Sequence, residues 1–233
     1  MAVTQLPGAR LIVAMGVVVA LLGATAVTQS AGVHPVSGRV YARTMGVEGA
    51  PWLDRSEREA EERVTRAVAL MKIAPGSVVA DVGAGSGYVT RLLAQQVGSR
   101  GRVYANDIQP GMLDLLRRRL ARERITNVTP VLGTQTDPSL PDGALDLVLM
   151  VDVYHELSDP QTMLAHIRTA LKAGGRLVLL EYRGEDPSVP ILPDHKMTVA
   201  QAKMEIEHEG YSLVSVNSSL PWQHLLTFTP TAR

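Results

Sequence analysis

In this 233-residue sequence, residue type and spacing point most directly to chemistry at Val78-Val79-Ala80-Asp81-Val82-Gly83-Ala84-Gly85-Ser86-Gly87. An apolar run ends in an acid, then glycines fall at alternate positions. Glycine lets backbone turn sharply and approach a ligand closely at the mouth of a helix. The plainer alternative is a tight strand-to-helix turn that only packs helix on strand. The Gly83, Gly85, Gly87 spacing differs from the Gly-x-Gly-x-x-Gly pattern that seats a pyrophosphate, so a ligand without pyrophosphate fits better. Asp107 ends the next apolar run, 20 residues beyond Gly87. Open parallel sheets place there a carboxylate that accepts both hydroxyls of a ribose, and a solvated strand-end aspartate is the competing reading.

A second group follows the run Asp146 to Asp152: Val153, Tyr154, His155 and Glu156. Tyr154 and His155 are the candidate catalytic residues, because an imidazole near its ordinary pKa is the most useful base around neutral pH. A helix-capping or purely structural histidine is the alternative. Glu181-Tyr182-Arg183 and Asp194-His195-Lys196-Met197 are candidate substrate contacts or, equally, charged loops held by local ion pairs. None of the six histidines forms an i, i+4 pair or an H-E-x-x-H run and there is no cysteine, so no metal is expected.

The elements that must position these residues are read from apolar periodicity. Ser56-x-x-Glu59 is a capping-box signature, and Ala60, Val64, Ala67, Val68 and Met71 share a helical face, which predicts one helix to about Lys72. Strand-length and helix-length segments then alternate: 77–82, 87–97, 102–107, 110–123, 127–132 and 145–151. Next come a helix opened by Ser158-Asp159-Pro160 and closed by Gly174-Gly175, a strand 176–182, a helix 198–209, and strands 211–216 and 224–229. This is an α/β fold: a Rossmann-like, seven-stranded, mostly parallel sheet with helices on both faces and an antiparallel edge strand.

Lysine plus arginine equals aspartate plus glutamate at 23 each, so no global field draws the chain to nucleic acid. A small-molecule substrate is the default partner. Residues 1–33 form a separate object: Arg10 precedes the apolar run 11–27, and Ala24-Thr25-Ala26 suits a signal cleavage. The run reads either as an export signal or as a membrane anchor at the short end of what spans a bilayer. A cytoplasmic protein beginning near Met45 is the third possibility. Residues 34–55 read as a linker or lid, with Trp52 and Leu53 as docking points and Trp52, Tyr41 and Met45 as a lid over the cleft, unless Trp52 only plugs the sheet edge; 56–233 read as the functional domain.

With Asp81 to Gly87 and Asp107 in these places, the chain resembles the class I S-adenosylmethionine (SAM)-dependent methyltransferases, specifically the broad group with the ubiquinone and menaquinone C-methyltransferases. The resemblance covers about 56–229. It implies SAM as cofactor, with Asp81, Gly83, Ala84, Gly85 and Gly87 around its amino-acid part, Asp107 on the ribose and Ile108 against adenine. It further implies an acid near the adenine amino group, for which Asp137 is the choice within Gly133 to Asp137. The stretch from Asp152 to Glu156 looks like the family's fourth motif, facing SAM and substrate. The expected activity is methyl transfer to a small or amphipathic, lipid-like acceptor. A SAM- or nucleoside-binding interaction module without turnover is the alternative. Oligomeric state is open.

Overall fold

The computed structural model describes residues 32–231; the proposed signal or anchor at 11–27 lies outside them. No helix among the described residues is long and apolar enough to cross a membrane. Seven strands form one sheet: β1 (Val78–Val82), β2 (Arg102–Asp107), β3 (Val128–Leu132), β4 (Leu145–Val151), β5 (Leu171–Tyr182), β6 (Tyr211–Asn217) and β7 (Gln223–Pro230), in the order β3-β2-β1-β4-β5-β7-β6. The first five run parallel, and β7 is antiparallel to both β5 and β6. The antiparallel edge is therefore the β6–β7 hairpin, with β7 as the reversed strand.

Period-two alternation in β4 explains why helices cover both faces. Leu147 and Leu149 point to one side, where α3 (Val64–Leu70) and α4 (Tyr88–Val97) pack through Val64, Val68, Leu93 and Val97. Val148 and Met150 point to the other, against Leu164 and Ile167 of α6 (Pro160–Ala170) and Ala202 and Ile206 of α7 (Val199–His208). Beside β2, α5 (Pro110–Glu123) buries Leu113, Leu116 and Leu120 against Ala84 and Ala105.

Helix starts follow local chemistry. Asp159 caps α6 by accepting from the Thr162 amide, with Pro160 in the first turn. Thr198 and Gln201 form a reciprocal capping box on α7.

Two boundaries differ from the sequence reading. The single helix expected over 56–72 is broken into α2 (Arg58–Glu62) and α3 by Arg63 in the left-handed region, φ 53°, and no side chain caps α2. Glu62 provides the reason: fully buried, it takes hydrogen bonds from Arg55, Arg58 and the Tyr182 hydroxyl, and this tertiary cluster overrides helical propensity. Likewise α6 ends at Ala170 rather than at the glycines, because Leu171 already pairs with Leu145 of β4. Gly174, at φ 78°, lies in an irregularity within β5.

Residues 32–55, expected to be a linker, are docked. An isolated bridge joins Val33 to Val40, and a short helix α1 spans Ala50–Leu53. Arg39 forms a buried pair with Glu205 of α7, Nε to Oε1 at 3.0 Å and Nη2 to Oε2 at 3.1 Å.

Candidate functional site

Strands β1 and β4 are neighbours, while β2 and β3 lie on the far side of β1. The chain thus reverses its direction of sheet building between β1 and β4. In open α/β sheets such a switch point, at the carboxyl ends of the strands, is where ligands bind. Asp81, the glycine loop, Asp107 and Asp152 all occupy that edge.

The glycine loop is shaped by positive φ: 75° at Gly83, 54° at Gly85 and 84° at Gly87. A Cβ at Gly83 would strike the Val153 side chain beyond β4, and one at Gly87 would strike Leu116 of α5. The amides of Gly83 and Ala84 both donate to the Asn106 carbonyl, at 2.9 and 2.8 Å. The loop is thereby pinned to β2.

Asp107, 6% exposed, accepts from the Gly85 amide at 2.9 Å and the Gln109 amide at 2.8 Å. Burial raises its pKa, and the amide hydrogen bonds oppose the rise. Ile108 follows directly, half-buried before α5 opens. Asp81 is 2% exposed and accepts from the Thr90 hydroxyl at 2.6 Å. Burial pushes its pKa up to about 6, while Thr90 and the Arg58 charge hold it down. Thr90 sits in the first turns of α4, a partner that no spacing rule marks.

Asp152 has φ 54°, a strained setting for a non-glycine residue. It accepts from Gln223 at 2.7 Å through Oδ2, and its buried Oδ1 has no partner. Burial first, then the nearby Glu62 and Glu181, raises its pKa well above the usual carboxylate range. The structure thus brings Asp81, Gly83, Ala84, Gly85, Gly87, Asp107, Ile108 and Asp152 to one edge.

Asp137 is placed differently. Its carboxylate accepts from the Ser139 amide at 2.7 Å and lies 3.8 Å from His166 of α6, so it stabilises its own turn and makes no hydrogen bond or ion pair with the Asp81 and Asp107 group. Tyr154 is a correction too. It is 0% exposed and packs into the core with Met150 and Leu164, its ring 5.9 Å from the Arg39 guanidinium. The core on one side of the sheet claims its ring, so the structure does not bring it to the open edge.

His155 reaches the expected edge but is 1% exposed with both ring nitrogens engaged. Nδ1 lies 2.6 Å from Glu181 Oε2, and Nε2 lies 3.2 Å from His195 Nδ1. The two rings meet edge to face at 5.1 Å. The accessible end of this Glu181–His155–His195 chain is His195, whose pKa burial and the His155 charge lower. Glu156 Oε1 lies 3.9 Å from His195 Nδ1. Burial pushes Glu156 up to about 7, against the stabilising His155 charge and Met45 amide.

The N-terminal segment crosses this edge. The Ala42 amide and Arg39 Nη1 both donate to the His155 carbonyl, at 3.1 and 2.9 Å. Gln109 Nε2 donates to the Met45 carbonyl at 2.9 Å, Leu53 lies over Gly85, and Asp54 accepts from the Ser86 hydroxyl at 2.8 Å. Leu53 and Met45 are the places where this segment meets the glycine loop and the start of α5. Trp52 instead stays 38% exposed with the Arg55 guanidinium 3.8 Å above its ring.

Residues 79–175 match the family described as a methyltransferase domain. Over these residues the chain is similar to the class I SAM-dependent methyltransferases. SAM is the cofactor of this class. The ubiquinone/menaquinone biosynthesis C-methyltransferase UbiE of Hydrogenovibrio crunogenus is 35% identical over 117 residues, 50% of this chain and 46% of that protein. The demethylmenaquinone methyltransferase of Symbiobacterium thermophilum is 36% identical over 115 residues, 49% of this chain and 46% of its own. The chain thus spans about half the length of the curated relatives it matches.

The methyltransferase domain also resembles solved structures. A SAM-dependent methyltransferase from Aquifex aeolicus superposes with a TM-score of 0.75 at 22% identity, over 79% of this chain and 98% of its own. The [4+2]-cyclase SpnF superposes at 0.65 and 15% identity, over 85% and 90%. These establish the fold.

Proposed function

We propose that the chain transfers the methyl group of SAM to a small or amphipathic acceptor by direct displacement at the sulfonium carbon. The observation that carries this reading is the opposition of the positive-φ glycine loop to a buried Asp107 at the β1/β4 switch point. In this reading Asp107 holds the ribose hydroxyls, Ile108 packs on adenine, and Asp81 faces the cationic amino-acid end. Displacement requires a nucleophile held about 3 Å behind the methyl with water excluded. The segment from Met45 to Asp54, laid over Gly85 and the start of α5, acts as the lid that excludes it. If the acceptor carries a proton, the Glu181–His155–His195 chain receives it, with His155 as a positioning residue.

The relatives are named for ubiquinone and menaquinone biosynthesis, which supports an amphipathic, lipid-like acceptor. The apolar run 11–27 would bring the domain to a membrane as an anchor or signal, and protease protection of the full chain in membrane fractions tests that placement.

Calorimetric titration of SAM and S-adenosylhomocysteine into the full chain tests the cofactor site. Asp107→Ala is expected to weaken both at least tenfold, because a buried acceptor of ribose hydroxyls is lost. No binding by folded wild type would remove the methyltransferase reading. Binding of SAM without release of S-adenosylhomocysteine across an amphipathic acceptor panel would favour an interaction module.

A further inference from the structure

We propose that His155, His195 and Glu156 form a binding site for one divalent transition-metal ion, of the zinc or iron(II) type. The donor atoms are His155 Nε2, His195 Nδ1 and a Glu156 carboxylate oxygen, and they lie within 4.8 Å of one another. The cluster joins the loop after β4 to the loop before α7, 40 residues apart, which is why no local histidine spacing announces it.

Three features fit a metal, and the second and third favour one over a simple histidine pair, whose ring nitrogens hydrogen-bond at the same 3.2 Å. The first is distance. With zinc–nitrogen bonds of roughly 2.0–2.1 Å, two imidazoles on one tetrahedral ion stand about 3.3 Å apart; here the nitrogens are 3.2 Å apart. Glu156, 3.9 Å from His195 Nδ1, needs only a small side-chain adjustment to complete a two-histidine, one-carboxylate set.

The second is the support behind the ligand. Glu181, fully buried, accepts from His155 Nδ1 at 2.6 Å and from the Tyr154 amide at 2.9 Å. The carboxylate fixes the tautomer with Nδ1 protonated, leaving the Nε2 lone pair directed at the cluster. A carboxylate behind a histidine in this way is how metal-ligating imidazoles are oriented.

The third is charge. Among the described residues, the ion-pair partner of Glu181 is His155 and that of Glu156 is His195, and no lysine or arginine pairs with either carboxylate. Glu181 is a fully buried acid without a fixed cation beside it, which is costly, and a dication at the adjoining histidine would offset that cost. Imidazole donors favour zinc, iron, nickel or copper over magnesium or calcium. Three protein ligands leave a fourth position open towards the cleft, where water or a donor atom of the acceptor would sit.

The proposal is tested without SAM, and it excludes the proton-accepting role of the His155–His195 pair, since a bound ion would occupy the same Nε2 and Nδ1 lone pairs. Full-length protein is stripped with a chelator and dialysed. Zinc is then titrated by calorimetry and cobalt(II) by visible absorption. One equivalent is expected, with the d–d bands of a four- or five-coordinate nitrogen–oxygen site. His195→Ala and Glu156→Gln should each weaken zinc at least tenfold, and Glu181→Gln by ten- to a hundredfold, while His208→Ala on the surface should leave it unchanged. Cooperative thermal unfolding establishes that each variant is folded. Should a variant fail to fold, zinc-edge X-ray absorption of wild type decides: two imidazole shells support the site, and fewer overturn it. No stoichiometric binding by wild type, or equal binding by folded His195→Ala and Glu156→Gln, also overturns it.

Discussion

Asp81 meets Thr90 on one side and the Arg58 charge nearby, and burial keeps its carboxyl protonated up to about pH 6 in the ligand-free protein. An unfolded chain ionises it near 3.8. Between those values the folded state holds the extra proton, so this group's contribution to stability falls as pH rises through that window. A cationic ligand end beside it needs the ionised form. SAM is therefore expected to bind roughly tenfold tighter at about pH 7 than at about pH 5, with proton release visible as a buffer-dependent heat. Asp81→Asn should flatten that dependence, and a wild-type affinity constant across the range would remove Asp81 from the cofactor's cationic end. At this scale the sequence was legible where one residue type has one use: glycine at positive φ, and an acid ending β1 or β2. It was not legible for Tyr154, because in a stretch that leaves the sheet beside both core and cleft, adjacent side chains diverge, and the core took the tyrosine. The resemblance implies an acid near adenine at Asp137, and in the structure that carboxylate closes its own turn on the Ser139 amide.

Among elements, those set by local chemistry lie where periodicity and caps place them: α4, α5, α7 and the strands other than β5, which begins at Leu171 and not at 176. Those set by distant partners do not. The break at Arg63 depends on Glu62 reaching Tyr182, 120 residues away, and the ordering of 32–55 depends on a buried ion pair that no window of sequence contains. Glu205 is fully buried and receives Arg39, Ser37 and, at 3.4 Å, His34. Removing one partner of a buried pair leaves the other charge desolvated, which typically costs about 3–5 kcal/mol. Arg39→Ala should lower the free energy of denaturant unfolding by about that amount. A loss below about 1 kcal/mol would show that water readily replaces the guanidinium and that the strap is not held by this pair.

Over the whole molecule, helix layers on both faces and a sheet reversed between β1 and β4 leave the cofactor edge rigid beneath and covered by a separate strand of chain above. Ligand that joins these parts should stabilise the fold by mass action. SAM at a hundred times its dissociation constant contributes about 2.7 kcal/mol, which for a chain of this size raises the melting temperature by roughly 5–10 °C. An unchanged melting curve at saturation would mean that SAM does not select the native state. The strap has a further consequence for biosynthesis. Arg39 leaves the ribosome early, but Glu205 is 166 residues behind it. The glycine loop and the Met45–Asp54 part of its cover can assemble long before the Arg39 end has its carboxylate partner. The nascent domain therefore carries a strap anchored at Gln109 and Ser86 but loose at its Arg39 end until α7 is made, and a chain released short of residue 205 would keep the glycine loop complete in sequence under a cover fastened at one end.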